Sequence, residues 1–334
     1  MELGFYTFGD LVADPKTGRT YSAKERMRQL LDLARLTEDA GLDVLGVGEH
    51  HGLNFVNSST ATTLAAMAAI TKRIRLTSAT TLLSTADPVR TFQDFATVDL
   101  VSDGRAELIF GRGAYADNFP LFGFDTKDYD ALFVEKLALF AQLNTQERVT
   151  WSGKFRAALR DAEIAPRPVQ PQLPVWIGAG SPGSLARAAA LGYPAAIPVL
   201  GGSLPGYAQL AAFYRQHWAQ QQPGQPFKLA VFSHFHLSAT AQQTREDFYP
   251  YYSAYLQPLF KGPMPRQAYA DMLAPTGSLI AGSPQQVLDK LMQLKQMGVT
   301  RYVGQVDIGG QLFADVARQI ELFSSQVAPH LRQA

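Results

Sequence analysis

The sequence contains no cysteine. That excludes disulfides, thiolate nucleophiles and cysteine-ligated metals, and it suits a reducing compartment. It also lacks any long apolar run or leader-like segment of the kind that crosses or enters a membrane, and Leu3–Thr7 opens directly as a strand. An excess of charge of one sign is missing too: 30 Lys and Arg stand against 29 Asp and Glu, giving a net charge of +1. The basic residues are scattered, so no footprint for a phosphate backbone or an anionic lipid surface exists. A cytoplasmic location with neither nucleic acid nor membrane as partner is the expectation.

What is present is an ordinary globular composition, with 46% hydrophobic and 18% charged residues over 334 positions. That length fits one large core as well as two small ones, and the pattern along the chain favours one. Leu3–Thr7 reads as a first strand. Ser22 and Glu25 have capping-box spacing, and Met27, Leu30, Leu31 and Ala34 recur at helical period until Gly41. A second strand, Val44–Val47, is followed by the cap Ser58-Ser59-Thr60 and a helix over Ala61–Ile70.

The same alternation continues with strands at Ile74–Leu83 and Ala106–Phe110, separated by a helix that starts at Asp87-Pro88. Phe119–Trp151 is less regular and holds one helix. The passage with Pro166, Pro168, Pro171 and Pro174 reads as a linker between units rather than a domain boundary. Strands at Val175–Gly178, Ala195–Leu200, Lys228–Leu237 and Arg301–Ile308 follow, with helices after Pro182, over Tyr207–Gln220, over Ser283–Met297 and at the end. Eight strands alternating with helices predict an α/β fold: a (β/α)8 TIM barrel forming a single domain over 1–334. Residues 239–278, an insertion between strands seven and eight rich in Phe248, Tyr249, Tyr251, Tyr252 and Tyr255, fit equally a lid over the barrel mouth or a packed decoration.

Three local patterns carry chemistry. Gly178-Ala-Gly-Ser-Pro-Gly183 matches the glycine fingerprint of dinucleotide sites, but no Asp or Glu lies between Glu163 and Glu246 to hold a ribose. A helix start lined by Gly180, Ser181, Gly183 and Ser184 suits a single phosphate better, although Ser-Pro also begins many helices that bind nothing. Gly111-Arg112-Gly113 at the end of strand four offers close backbone approach and a guanidinium fork for an anion, against the plain alternative of an exposed arginine. Glu49-His50-His51 ends strand two, where barrel enzymes build active sites; alternation sends the two imidazoles in different directions, leaving one for proton chemistry.

A reading of a different class is also open. His234 and His236 share a face of strand seven, and with His50 and Asp307 they sketch a barrel metallohydrolase with a zinc-bound water. Structural histidines are the plainer explanation of that pair.

The turn Glu49-His50-His51, the block Thr77–Arg90 (TSATTLLSTADPVR) and the block Ser102–Gly113 (SDGRAELIFGRG) together resemble the bacterial luciferase-like family of flavin-dependent monooxygenases. The resemblance covers nearly the whole chain. It implies reduced FMN as co-substrate, a C4a-hydroperoxide formed on it with O2, and a small organic substrate whose identity it leaves open. His50 takes the place of the family's active-site histidine, and Arg112 and Ser181–Ser184 lie near the phosphate. A non-proline cis peptide is implied at Ala79–Thr80, beneath the isoalloxazine ring. Where some relatives have a second basic residue, this chain has Asp128 and Asp130, which implies a looser phosphate clamp. The resemblance further implies a separate flavin reductase and a homodimer and no metal. A deazaflavin-dependent oxidoreductase of the same fold is the nearest alternative.

Overall fold

The computed structural model describes residues 1–113 and 118–333. Eight strands form the barrel: β1 (Glu2–Thr7), β2 (Val44–Val47), β3 (Arg75–Ser78), β4 (Ala106–Gly111), β5 (Val175–Gly178), β6 (Ala195–Val199), β7 (Leu229–Leu237) and β8 (Arg301–Gln305). All neighbours pair in parallel in the order β1 to β8. The barrel closes where β8 lies beside β1, with Glu2 opposite Arg301 and Tyr6 opposite Gln305. Both faces of such strands are covered, which is why they read as nearly continuous apolar runs.

The helices are α1 (Ala23–Asp39), α2 (Thr60–Ala68), α3 (Pro88–Ser102), α4 (Tyr129–Thr145), α5 (Pro182–Ala190), α6 (Leu204–Gln221), α7 (Pro284–Gln296) and α8 (Phe313–Gln326). Their starts follow the local signals. Ser22 and Glu25 cap α1 reciprocally, and the Asp87 carboxylate accepts from the amides of Val89 and Arg90 at the start of α3. The main core lies between strands and helices, as with Leu33, Leu45 and Leu76. A second, smaller core fills the barrel itself with Tyr6, Ile109, Trp176, Ala196, Phe232 and Val303.

The floor of the barrel is polar. Arg301 pairs with Glu107 at 2.5 Å and with Glu2 at 2.7 Å, Arg75 reaches Glu107 at 3.1 Å, and the guanidinium of Arg301 lies over the Trp176 ring. These residues stand at or near the amino ends of β1, β3, β4 and β8, so the ion pairs tie the closure together from inside. Their charges hold the Glu107 carboxyl below its ordinary range despite full burial.

Three expectations need correction. The third strand does not run unbroken over Ile74–Leu83: it stops at Ser78, and Thr81–Leu82 pairs separately with Phe110 and Gly111 of β4. Between them the Ala79–Thr80 bond is cis, at the place the resemblance implies. The eighth strand ends at Gln305 rather than Ile308. The irregular middle contains an antiparallel hairpin, Arg148–Trp151 with Leu159–Glu163, that periodicity does not reveal because only one of its nine strand positions is buried.

Between β7 and α7 the chain passes through short helical segments over Ala241–Phe260 and over Arg266–Leu273. Phe248, Tyr252, Tyr269 and Met264 are buried there in a cluster of their own that seats on Ile308. Lys290 of α7 ties the far end down, donating to the carbonyls of Met272, Gly277 and Leu279. Among the described residues no helix is long and apolar enough to cross a membrane.

Breaking a buried ion pair by removing one partner costs about 3–5 kcal/mol, so Arg301→Leu is expected to lower the urea midpoint of unfolding by a corresponding amount. A midpoint unchanged from wild type would show that the floor network does not stabilise closure.

Candidate active site

All eight strands deliver their carboxyl ends to one mouth, and two connected cavities open there. The inner one, of about 370 Å3, is lined by Tyr6, Ala79, Thr80, Ile109, Phe232 and glycine edges at Gly111, Gly113, Gly178 and Gly180. The outer one, of about 1110 Å3, is bounded by Asp10, Phe55, the loop around His51 and the insertion from Ala254 to Lys261. His50, Asn118, Leu200, His234 and Tyr255 line both. Two glycines make the inner wall possible. A Cβ on Gly48 would stand 2.2 Å from the Phe8 ring, and one on Gly111 would stand 2.4 Å from Thr80 Oγ1.

The turn after β2 is held by Asn57, whose Nδ2 donates to the Gly48 carbonyl at 2.6 Å while its Oδ1 accepts from Thr63 at 2.6 Å. His50 is thereby fixed between Phe8, edge-on at 4.3 Å, and Phe55, stacked at 4.1 Å. Burial lowers its pKa to about 4, with nearby His51 adding to the shift, so the imidazole is neutral at pH 7. His51 turns the other way, to Glu49 at 3.0 Å and the Phe122 ring. The other Glu49 oxygen accepts from the Leu82 amide at 3.0 Å, coupling the β2 loop to the segment after the cis bond.

Arg112 also lines the inner cavity. It pairs with Asp130 at 2.7 Å and lies over the Tyr129 ring, whose hydroxyl donates to the Gly113 carbonyl. Arg187, one turn into α5, approaches the same Asp130 at 3.6 Å. Two guanidiniums therefore flank one carboxylate. That leaves a surplus of one cation at this point. An anion of low charge suits that balance.

The expected phosphate turn is only partly what its sequence suggests. Gly180 lines the inner cavity, and a side chain at Gly183 would meet open space. The Ser181 and Ser184 side chains, expected to reach toward an anion, cap α5 reciprocally: Ser184 N–H donates to Ser181 Oγ at 3.4 Å and Ser181 N–H to Ser184 Oγ at 3.1 Å. The two hydroxyls also lie 3.0 Å apart. The local cap satisfies them first, because it needs no ligand.

The metal alternative does not assemble. His234 Nδ1 meets the Tyr252 hydroxyl at 2.8 Å, while His236, stacked on Phe248, bonds Ser238 and lines a separate cavity. Asp307 is taken by Arg26 and by Thr7 Oγ1. Among the described residues no group of three or more His, Asp or Glu could hold a metal ion.

Sequence reading missed Arg187 and Asp10. Arg187 lies three residues past Ser184, on the helix that the glycine turn starts, and that spacing was the available signal. Asp10 has no motif around it. It is buried beside Asp307 and Arg26, with Oδ2 accepting from the Gly309 amide at 3.0 Å. Among the described residues, Oδ1 of Asp10 and Oδ1 of Asp307 have no donor. Burial and then Asp307 raise the Asp10 pKa from 3.8 to about 7, against the opposing Gly309 amide and Arg26.

A model of the luciferase-like monooxygenase family matches residues 1–301. An uncharacterized protein of Sinorhizobium fredii is 30% identical over 54% of this chain and 52% of its own length, so the chain spans about half of that relative. The oxygenase component of the flavin-dependent trigonelline monooxygenase of Acinetobacter baylyi is 21% identical over 98% of this chain and 95% of its own length. Among solved structures, the monooxygenase RslO1 of Streptomyces bottropensis superposes with a TM-score of 0.87 at 22% identity, covering 99% of this chain and 100% of that one. The FMN complex of the oxygenating constituent of 3,6-diketocamphane monooxygenase from Pseudomonas putida gives 0.78 at 18% identity, covering 98% of each chain. F420-dependent enzymes occur among both kinds of match.

The folded protein holds the Asp10 proton more tightly than the unfolded chain does. Its contribution to stability is complete below about pH 4 and is lost as the pH rises through about 7. Asp10→Asn, which mimics the protonated acid, should therefore gain thermal stability relative to wild type between pH 5 and pH 8. Denaturation curves that shift in parallel over that interval would contradict the assignment.

Proposed function

The chain belongs to the luciferase-like monooxygenase family, and from that premise we propose that it is a flavin-dependent monooxygenase using reduced FMN and O2 on a small organic substrate. The observation that carries the choice of FMN is the charge balance at the Arg112 end. Two guanidiniums against one carboxylate, beside glycine-edged backbone, suit a terminal monophosphate. Deazaflavin-dependent hydride transfer is the alternative, since F420-dependent enzymes occur among the relatives.

In this reading Arg112 and Arg187 hold the phosphate, with Asp130 released in part from each, and the amides near Gly180 and Gly183 complete the cradle. Tyr6, Ile109 and Phe232 supply an apolar bed for the ring, and the Ala79–Thr80 backbone lies against it. Bound reduced FMN supplies the electrons that activate oxygen. The chain's own part is to keep the site dry, to fix the ring, and to hold protons. Phe8 and Phe55 exclude water around His50, which is neutral and able to donate or accept a proton at the edge of the inner cavity. The substrate enters through the outer cavity. A separate flavin reductase as electron source fits the relative named as an oxygenase component. A homodimer and a cytoplasmic location complete the proposal.

A charge-assisted contact is worth about 1.5–3 kcal/mol, so Arg112→Ala should weaken FMN binding by roughly ten- to a hundredfold in fluorescence-quenching titrations, with Arg187→Ala having a smaller effect in the same direction. Unchanged affinity in both variants would place the phosphate elsewhere; tighter binding of a deazaflavin than of FMN by the wild type would favour the alternative.

A further inference from the structure

The substrate's own contacts are the part of the site that no motif addresses, and His234 stands where they must form. It comes from β7, lines both the inner and the outer cavity, and is 5% exposed. Its ring is clamped edge-on by Tyr252 and Tyr255 at centroid distances of 5.4 and 5.3 Å. Burial lowers its pKa to about 4, so it carries no charge at pH 7.

A neutral imidazole has one N–H, and the network decides which nitrogen bears it. Nδ1 lies 2.8 Å from the Tyr252 hydroxyl. Tyr252 is fully buried, burial holds it as a neutral phenol, and its next contact is Met272 Sδ at 4.0 Å, a weak acceptor. The strong acceptor within reach of the hydroxyl proton is Nδ1. Tyr252 therefore donates, which leaves the imidazole proton on Nε2. Nε2 has no protein partner among the described residues, and unlike His236 Nδ1 it is not sealed from the cavity.

We propose that His234 is a substrate-positioning residue whose Nε2–H donates a hydrogen bond to an uncharged oxygen of the substrate, presented between the two cavities. The imidazole carries no charge of its own, so it matches an uncharged acceptor rather than an anion. A cationic group would meet an N–H donor rather than an acceptor at this point. The inference rests on the proposed monooxygenase reading for the identity of the neighbouring ring, but the donor exists whichever flavin binds.

Acetophenone and α-methylstyrene are matched in shape and differ in the C=O against C=CH2 group, so a change in their affinity ratio between wild type and variant reports the donor. FMN affinity is first measured on the wild type. The pair is then titrated into the FMN-loaded protein by visible difference spectra, or into apoprotein by intrinsic fluorescence if FMN does not bind, which separates failure of the flavin reading from failure of this one. The ratio of acetophenone to α-methylstyrene affinity should fall roughly tenfold in His234→Phe, the effect of one net hydrogen bond. His234→Gln should restore part of the ratio, and Tyr252→Phe, a near-isosteric change, should lower it by freeing the tautomer. A ratio unchanged in both His234→Phe and Tyr252→Phe, or no saturable binding of acetophenone, would overturn the proposal.

Discussion

The pairing of β8 with β1 is the constraint from which the rest of the molecule follows. A parallel sheet that closes on itself must send every strand's carboxyl end to one rim and every amino end to the other. At the amino rim, closure is reinforced by Arg301, which bridges Glu2 and Glu107 inside the barrel. At the carboxyl rim it gathers His50, Ala79, Arg112, Gly180 and His234 from five different strands or their ends. Residues that lie up to 184 positions apart in the chain, His50 and His234, thus share a cavity wall.

The mouth is polarised in a way that suits a molecule with an apolar ring and an anionic end. Aromatic and aliphatic side chains line the inner cavity together with Arg112, which Arg187 of α5 joins at Asp130. His50 and His234, both neutral, line the same cavity. Their low pKa values arise from the same desolvation that keeps the chamber dry, so proton chemistry and water exclusion have a common physical origin here.

How much of this was legible in the sequence depended on how local the determinant is. Strand–helix alternation, the Ser22–Glu25 cap and the Asp87-Pro88 start are set by neighbours within a few residues, and all appear in the structure. His50, Ala79, Thr80 and Arg112 could be placed at the mouth because each sits at a strand end within a recognisable block. The break in the third strand, the Arg112–Asp130 pair and the Asp10–Asp307–Arg26 cluster were not legible, since they depend on groups brought together by closure. Ser181 and Ser184 show how one motif can describe two things: the turn expected near a phosphate is also a reciprocal helix cap. His234 was visible as half of an H-x-H pair, but its partner proved to be Tyr252, which the insertion brings to it.

The central claim is that the inner cavity seats FMN with its phosphate toward Arg112. A crystal structure of the protein soaked with FMN tests it most directly. The account predicts the isoalloxazine ring against Ala79–Thr80 and Phe232, with the phosphate between Arg112, Arg187 and the Gly180 turn. Flavin density outside the barrel mouth, or a ring in the inner cavity with its phosphate pointing away from both arginines, would contradict it.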